Sequence, residues 1–352
     1  MKKLLSHTRP QATRGSKQDR AMRAPIVLVL FFTLSLVIAG CSSLPVSTAE
    51  PEQTSIRSLA LEYAKLGDES LKNRDYPKAE ENYRLSLDAN ASVDSLDGMS
   101  QAYNSLGNLF LGLGRYADAT NAFDNAKAQA KLLNDPRLTA LALSNSAKVL
   151  LAQAKPEEAL VLLDEALALV KGQEDAAVAV MHHNQGVAFK DLGRLDEAKT
   201  AIKQSLAIND KLKTLRERAS NHYLLASIAS KESKLEDALV ELGSALELDK
   251  KAENSEGIAA DLYALATLYG RKTETSELQT AWGYAIRAFT VALAANDAAS
   301  VERSLNQLVA FAAKLGYQAE GSKYAALLEK LSANKRKATD SATTGAAQGT
   351  TK

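Results

Sequence analysis

Few residues of this chain have the types and spacing that catalysis or metal binding requires. Three of the four histidines, His182, His183 and His222, lie in the central part of the sequence, and Cys41 is the single cysteine. On a helix, the adjacent His182 and His183 would point about 100° apart, so they could not both bind one metal ion. His-x-x-x-His pairs, paired cysteines, a GxSxG turn and phosphate-binding glycine loops are absent from the sequence. We therefore predict no catalytic residue, no metal site and no cofactor.

Cys41 is the residue whose surroundings indicate a specific chemistry. Residues 1–24 carry a net charge of +6, and residues 25–40 form an uncharged apolar run of 16 residues that ends in two small residues before the cysteine. The run is shorter than the roughly 20 residues of a membrane span, and it is typical of the apolar region of a secretory signal. The arrangement resembles the lipobox of bacterial lipoproteins. The resemblance implies a signal peptide over residues 1–40 and a lipidated, palmitate-bearing Cys41 at the mature N-terminus.

The residue after the cysteine bears on the destination of such a lipoprotein. It is Ser42, whereas lipoproteins held at the inner membrane tend to have aspartate there. The resemblance therefore implies an anchor in the bacterial outer membrane, with the protein facing the periplasm. An ordinary signal peptide or an uncleaved membrane anchor stays open as the alternative, as does translation from Met22 instead of Met1.

The composition of the remaining chain excludes some classes of protein. The sequence is 46% hydrophobic and 24% charged, which is typical of a folded protein with a large core. Since residues 1–24 carry +6 and the whole chain +1, the remainder carries −5. An acidic remainder without basic clusters does not favour nucleic acid as a partner.

A repeat of about 40 residues organises the chain after the leader. One small residue recurs at spacings of 40, 40, 39, 40, 43 and 40, at Ala79, Ala119, Ala159, Ala198, Ala238, Ala281 and, less clearly, Gly321. A second small residue stands before each turn, as Gly107 does before Gly114 and Ala119. Apolar residues on both sides of the turn follow helical spacing, so each unit is predicted to be a helix hairpin in which small residues allow close approach.

The pattern of large residue, Leu-Gly and aromatic, then small, aromatic and small, resembles the tetratricopeptide repeat. The resemblance covers about residues 59–331 and implies an all-α, right-handed solenoid of stacked hairpins, with six clear repeats and a degenerate capping repeat. The period of about 40 is longer than the 34 residues usual in this family. We expect a flexible tether over residues 41–57, the solenoid over 58–331 and a disordered tail over 332–352.

The resemblance also implies where a partner would bind. In this family the first helix of each unit lines a concave groove, on the side away from the second helix. The groove positions predicted here are Gln101, Asn104, Asn108, Ser144, Asn145, Lys148, His183, Asn184, Lys190, Tyr223, Ser227, Tyr263 and Thr267. Stacked asparagines such as Asn145 and Asn184 can bond the backbone of an extended peptide, although they are also common on merely hydrated helix faces. His182 and His222 are expected to pack between repeats.

Two classes of function follow from the sequence. The first is a lipid-anchored adaptor or scaffold of the bacterial envelope, which binds a protein or peptide in the groove. Its task would be the assembly of an envelope complex, in the manner of a pilotin, or the regulation of cell-wall enzymes. The second is an accessory envelope enzyme or a small-ligand-binding lipoprotein with an unrecognised site. The complete repeat array and the absence of a catalytic pattern favour the adaptor.

Overall fold

Helix hairpins make up the part of the chain that the structure describes. In this computed structural model, residues 55–348 are described, and for residues 334–348 only the backbone is described. The predicted signal peptide, Cys41 and nearly all of the predicted tether therefore lie outside the described residues. Within them, the helices are α1 (Ile56–Lys72), α2 (Tyr76–Ser92), α3 (Leu96–Gly112), α4 (Tyr116–Leu132), α5 (Pro136–Ala152), α6 (Pro156–Leu169), α7 (Ala176–Asp191), α8 (Leu195–Leu212), α9 (Leu215–Lys231), α10 (Leu235–Lys251), α11 (Ser255–Tyr269), α12 (Thr275–Ala294), α13 (Ala298–Leu315) and α14 (Gln318–Gln348).

The helices of residues 55–348 pair in chain order into seven hairpins. Each odd-numbered helix packs on the even-numbered helix that follows it and on the one that precedes it. Odd-numbered helices also contact one another from hairpin to hairpin, while the even-numbered helices of the described residues do not. The odd-numbered helices therefore form the inner row of an α-solenoid, and the predicted all-α stack of helix hairpins is confirmed.

Small residues set the distance between the two helices of a hairpin. Ala79, Ala119, Ala159, Ala198, Ala238 and Ala281 are all fully buried. On the facing helix, a Cβ added to Gly67, Gly107 or Gly186 would come within 2.4 Å of Tyr83, Phe123 or Ile202 respectively. In hairpins where alanine replaces the glycine, the residue at the opposing position is Leu163, Leu242 or Ala285, each smaller than Tyr83 or Phe123. A small residue at each contact thus lets the two helices approach closely.

Short turns join the helices through residues with a left-handed backbone. Gly114 and Gly193 have φ values of 72° and 74°, as the turn prediction for Gly114 required. Non-glycine residues occupy the same place in other hairpins, including Ala154 with a φ of 57°. The turn is therefore imposed by the packing of the helices, even where the residue type does not favour it.

The last two hairpins depart from the regular period. The insertion in the sixth repeat lengthens the connection before α12, which still pairs with α11. The seventh hairpin contributes Tyr317 and Tyr324 to an aromatic cluster with Trp282 of α12. The two tyrosine rings lie edge-on to the Trp282 ring, with distances between ring centroids of 5.5 and 5.8 Å. A Cβ on Gly321 would lie 3.1 Å from the Cβ of Ala312, so close helix approach persists here.

The boundaries of the solenoid are wider than predicted. Helix α1 begins at Ile56, inside the predicted tether, with the hydroxyl of Ser55 capping its N-terminus. Helix α14 continues to Gln348, so residues 332–348 are helical where we predicted a disordered tail. Alanine, lysine and arginine, which are good helix formers, allow the last helix to continue beyond its packed part. Within the described residues, no helix combines the length and apolarity needed to cross a membrane.

Candidate partner-binding face

Most of the residues predicted to line a groove lie along the inner row of helices. We call the surface formed by these residues of α3, α5, α7, α9 and α11 the inner face. Gln101, Asn108 and Tyr223 are exposed there, while Lys148, His183, Lys190, Ser227, Tyr263 and Thr267 are half-buried. The remaining four predicted residues are buried in the contacts between neighbouring inner helices: Asn104, Ser144, Asn145 and Asn184.

Side chains of the inner face bond one another from repeat to repeat. Asn145 donates from Nδ2 to Oδ1 of Asn104 at 2.8 Å, and Lys148 donates from Nζ to Oδ1 of Asn108 at 2.6 Å. Asn145 is only 5% exposed, and one of its two N–H donors is already used inside the protein. Asn184, at the matching place one repeat later, has a buried Nδ2 without a partner among the described residues. The sequence did not predict these hydrogen bonds between neighbouring repeats of the inner face.

The three central histidines occupy different environments. His183 lies on the inner face, with Nδ1 at 2.7 Å from Oδ1 of Asn221, and burial lowers its pKa. His182 bonds Gln185 one turn away, and burial lowers its pKa also. His222 lies 2.6 Å from Glu241 on the second helix of the same hairpin. The polar partners of His182 and His222 therefore lie within their own repeats, and the packing of these two histidines between repeats stays a prediction. The described residues contain no cluster of three or more histidine, cysteine, aspartate or glutamate side chains that could hold a metal ion.

Two basic side chains that we did not predict, Lys231 and Arg271, extend the inner face beyond the predicted Lys190. Lys190, Lys231 and Arg271 are spaced 41 and 40 residues apart near the C-terminal ends of successive inner helices. Lys231 donates from Nζ to the carbonyl of Lys190 at 3.1 Å, and Arg271 donates from Nη1 to Oγ of Ser230 at 2.7 Å. The guanidinium of Arg303 lies 5.8 Å from the centre of the Tyr263 ring. The period of about 40 residues, counted from Lys190, was the signal that could have identified Lys231 and Arg271.

Lys148 shows how burial affects a cation on this face. It lies within 4 Å of no carboxylate among the described residues, and burial lowers its pKa to about 8. A buried ammonium that bonds only a neutral amide lacks the counter-ion that a buried charge usually has. The middle of the inner face therefore disfavours further positive charge and favours a negatively charged or polar group.

Comparison with known proteins agrees with this architecture. Residues 138–211 match the family model of the tetratricopeptide repeat. The described residues fold as an α-solenoid similar to those of tetratricopeptide-repeat proteins. Those residues span helices α5 to α8, from the third hairpin into the fourth. No curated protein sequence matches the chain.

Solved tetratricopeptide-repeat and related structures share the fold at low sequence identity. The apo form of RapI is 16% identical with a TM-score of 0.57, over 79% of this chain and 99% of that one. A Rap protein complexed with competence and sporulation factor is 16% identical with a TM-score of 0.60, over 79% and 76%. A signal-transduction ATPase with a tetratricopeptide-repeat sensor, from Pyrococcus horikoshii, is 13% identical with a TM-score of 0.56, over 78% and 44%. At these identities the likeness concerns the fold alone.

Proposed function

We propose that this protein is a lipid-anchored adaptor of the bacterial cell envelope, which holds an extended segment of a partner protein against its inner face. The observation that carries the proposal is the inner row of helices, along which most of the exposed and half-buried predicted groove residues are polar. A solenoid of this kind presents an extended surface that a chain can follow over several repeats. The structure of a Rap protein complexed with competence and sporulation factor supports the proposal, because a similar fold holds a partner there.

The envelope location rests on the sequence around Cys41. The basic start, the apolar run and the single cysteine favour an anchor in the outer membrane that faces the periplasm. The proposed task is the assembly of an envelope complex, in the manner of a pilotin or of a regulator of cell-wall enzymes. The adaptor is proposed to act by binding and not by catalysis.

Blocking the inner face tests the proposal. Gln101 and Ser220 are exposed at equivalent places on α3 and α9, so Gln101→Trp with Ser220→Trp would obstruct the inner face at two repeats. The full chain, purified in detergent, would capture partners from envelope extracts, and we expect the double variant to retain at least about tenfold less of them.

The control variant carries two tryptophans on the even-numbered helices, which we call the outer row. Ala128 and Gln204 are exposed on α4 and α8, so Ala128→Trp with Gln204→Trp adds equal bulk away from the inner face. If both variants retained their partners as well as the parent protein does, binding at the inner face would be contradicted. Loss in the control alone would move the binding surface to the outer helices.

A further inference from the structure

A pocket of about 290 Å³ opens on the inner face between α9 and α11. Its polar lining includes Tyr223, Ser227, Ser230, Lys231, Thr267 and Arg271, and none of its lining residues carries a carboxylate. We call this the basic pocket. It concentrates hydroxyl groups and two cations in a region of the chain that is acidic overall, since the residues after 24 carry −5. Its composition is therefore that of a site for an anion.

The two cations of the pocket are held in place but not neutralised. Lys231 bonds the carbonyl of Lys190 at 3.1 Å, and Arg271 bonds the hydroxyl of Ser230 at 2.7 Å. Each contact uses one N–H, which leaves two donors on the ammonium and four on the guanidinium. Among the described residues, neither cation forms an ion pair, whereas Lys190 lies 3.2 Å from Asp191. Lys314, whose Nζ donates to the carbonyl of Gly270 at 3.3 Å, adds positive charge at the edge.

A larger cavity elsewhere lacks this combination. It has a volume of about 580 Å³ and lies between α10, α11 and α12. Glu247 is part of its lining and already pairs with Lys250 at 2.6 Å. The basic pocket is therefore the better candidate for an anionic group.

We infer that the basic pocket binds the carboxylate of an acidic residue in the extended segment of the partner. The inference rests on the proposed function, because it specifies the chemistry of the segment that the inner face holds. A chain that follows the inner helices passes over the pocket, and one glutamate or aspartate side chain reaches Lys231 and Arg271 from it. The rings of Tyr223 and Tyr263 flank the stem of that side chain. Charge-assisted hydrogen bonds of this kind are about twice as strong as neutral ones.

Peptides of matched composition test the inference on the full chain in detergent. The probe is a labelled nine-residue peptide of alternating glutamate and serine, and its counterpart has glutamine for glutamate. We expect the acidic peptide to bind about 10- to 100-fold more tightly at low salt, with the preference falling as salt is added. Lys231→Gln with Arg271→Gln should remove the preference, and Lys231→Arg with Arg271→Lys should retain most of it.

Two exposed lysines of the outer row provide the matched control. Lys203→Gln with Lys251→Gln removes the same charge from α8 and α10, where neither lysine forms an ion pair among the described residues. This variant should keep the preference for the acidic peptide. The inference would be overturned if the two peptides bound equally well or if neither bound at concentrations up to about 1 mM. It would also be overturned if both glutamine double variants lost the preference for the acidic peptide to the same extent. Envelope partners that are still captured by the Lys231 and Arg271 variant, but not by the tryptophan variant of the inner face, would leave the proposed function standing.

Discussion

Asp249 and Asp261 form a buried pair of carboxyl groups at the junction between the fifth and sixth repeats, where they are 4% and 1% exposed. Asn254 donates to Oδ1 of Asp249 at 2.8 Å, while Oδ2 of Asp261 has no partner among the described residues. Burial and the neighbouring Asp249 raise the pKa of Asp261 to about 8. Two such carboxyl groups are stable together only while they share a proton.

The chain contains a neutral version of this pair one repeat earlier. Asn209 and Asn221 stand 40 residues before Asp249 and Asp261 respectively. Both amides donate to the hydroxyl of Ser205, at 3.4 and 3.0 Å. The fold therefore accepts amides at these two positions, which makes Asp261→Asn a conservative test of the acid pair.

We predict that Asp261 makes the stability of the protein depend on pH. The folded state binds the proton more tightly than the unfolded chain, so the free energy of unfolding falls as pH rises from about 4 to about 8, by on the order of a few kcal/mol. Burial raises the pKa of Asp249 as well, and the hydrogen bond from Asn254 and the positive charge of Arg216 only reduce that rise. Asp261→Asn should flatten this decline and raise the melting temperature at pH 8.

Denaturant unfolding of the full chain at several pH values between 4 and 9 measures this effect. Asp88→Asn, on the exposed surface of α2, is the control and should retain the decline of the parent protein. An Asp261→Asn profile that is parallel to the parent profile would show that the buried pair is not the source.

At the scale of the helix hairpin, Ala159 represents the small residue at which the two helices nearly touch. It lies fully buried on α6, in one apolar cluster with Leu143 and Ala147 of α5. Ala159→Leu adds three carbons to a close-packed contact and should lower the free energy of unfolding by about 1–3 kcal/mol. Ala168→Leu, on the exposed side of the same helix, should change it by less than about 0.5 kcal/mol. Melting temperatures that fall equally in both variants would mean that the assigned register is wrong.

At the scale of the whole molecule, the stack brings its first repeat near its last ones. Arg74, in the first turn, lies 2.5 Å from Oε1 of Glu256 at the start of α11 and 3.9 Å from Oδ1 of Asp297 before α13. Glu256 is largely exposed, so the ion pair contributes little to stability in water. The approach of these distant repeats therefore results from the accumulated rotation of successive hairpins.

The proposed membrane anchor belongs to the same scale, because it would decide where the solenoid acts. If Cys41 is lipidated, Cys41→Ala should abolish acyl labelling and give an uncleaved precursor or a released protein. An acyl chain contributes about 0.8 kcal/mol for each buried CH₂, so two or more chains hold the protein stably at a membrane. Metabolic labelling with a fatty acid and membrane fractionation measure both effects, with Ser42→Ala as the variant that should remain labelled. Unchanged labelling of the Cys41 variant would exclude the lipoprotein proposal.

The repeat register was available from the sequence because it depends on local spacing. Small residues that recur every 40 positions identify the helix contacts, and residues such as Ala119 and Gly107 are buried where the period predicts. The hairpin is a short-range structure, so its apolar stripe and its turn are both readable from adjacent residues. The extension of α14 to Gln348 was missed, because a polar, alanine-rich segment does not by itself indicate whether a helix will continue.

Only the tertiary structure decided which polar side chains of the inner face are free to meet a partner. Asn145 and Asn104 are 41 residues apart, as are Lys231 and Lys190, and each pair bonds across neighbouring repeats. The rotation between hairpins brings such residues within hydrogen-bonding distance, and that rotation depends on packing along the whole stack. The sequence determined the helices and their register through local periodicity. The tertiary structure decided that Asn145 is bonded inside the protein, while Lys231 and Arg271 line an open pocket. The repeat period alone could not predict this, because these contacts depend on how neighbouring hairpins are rotated.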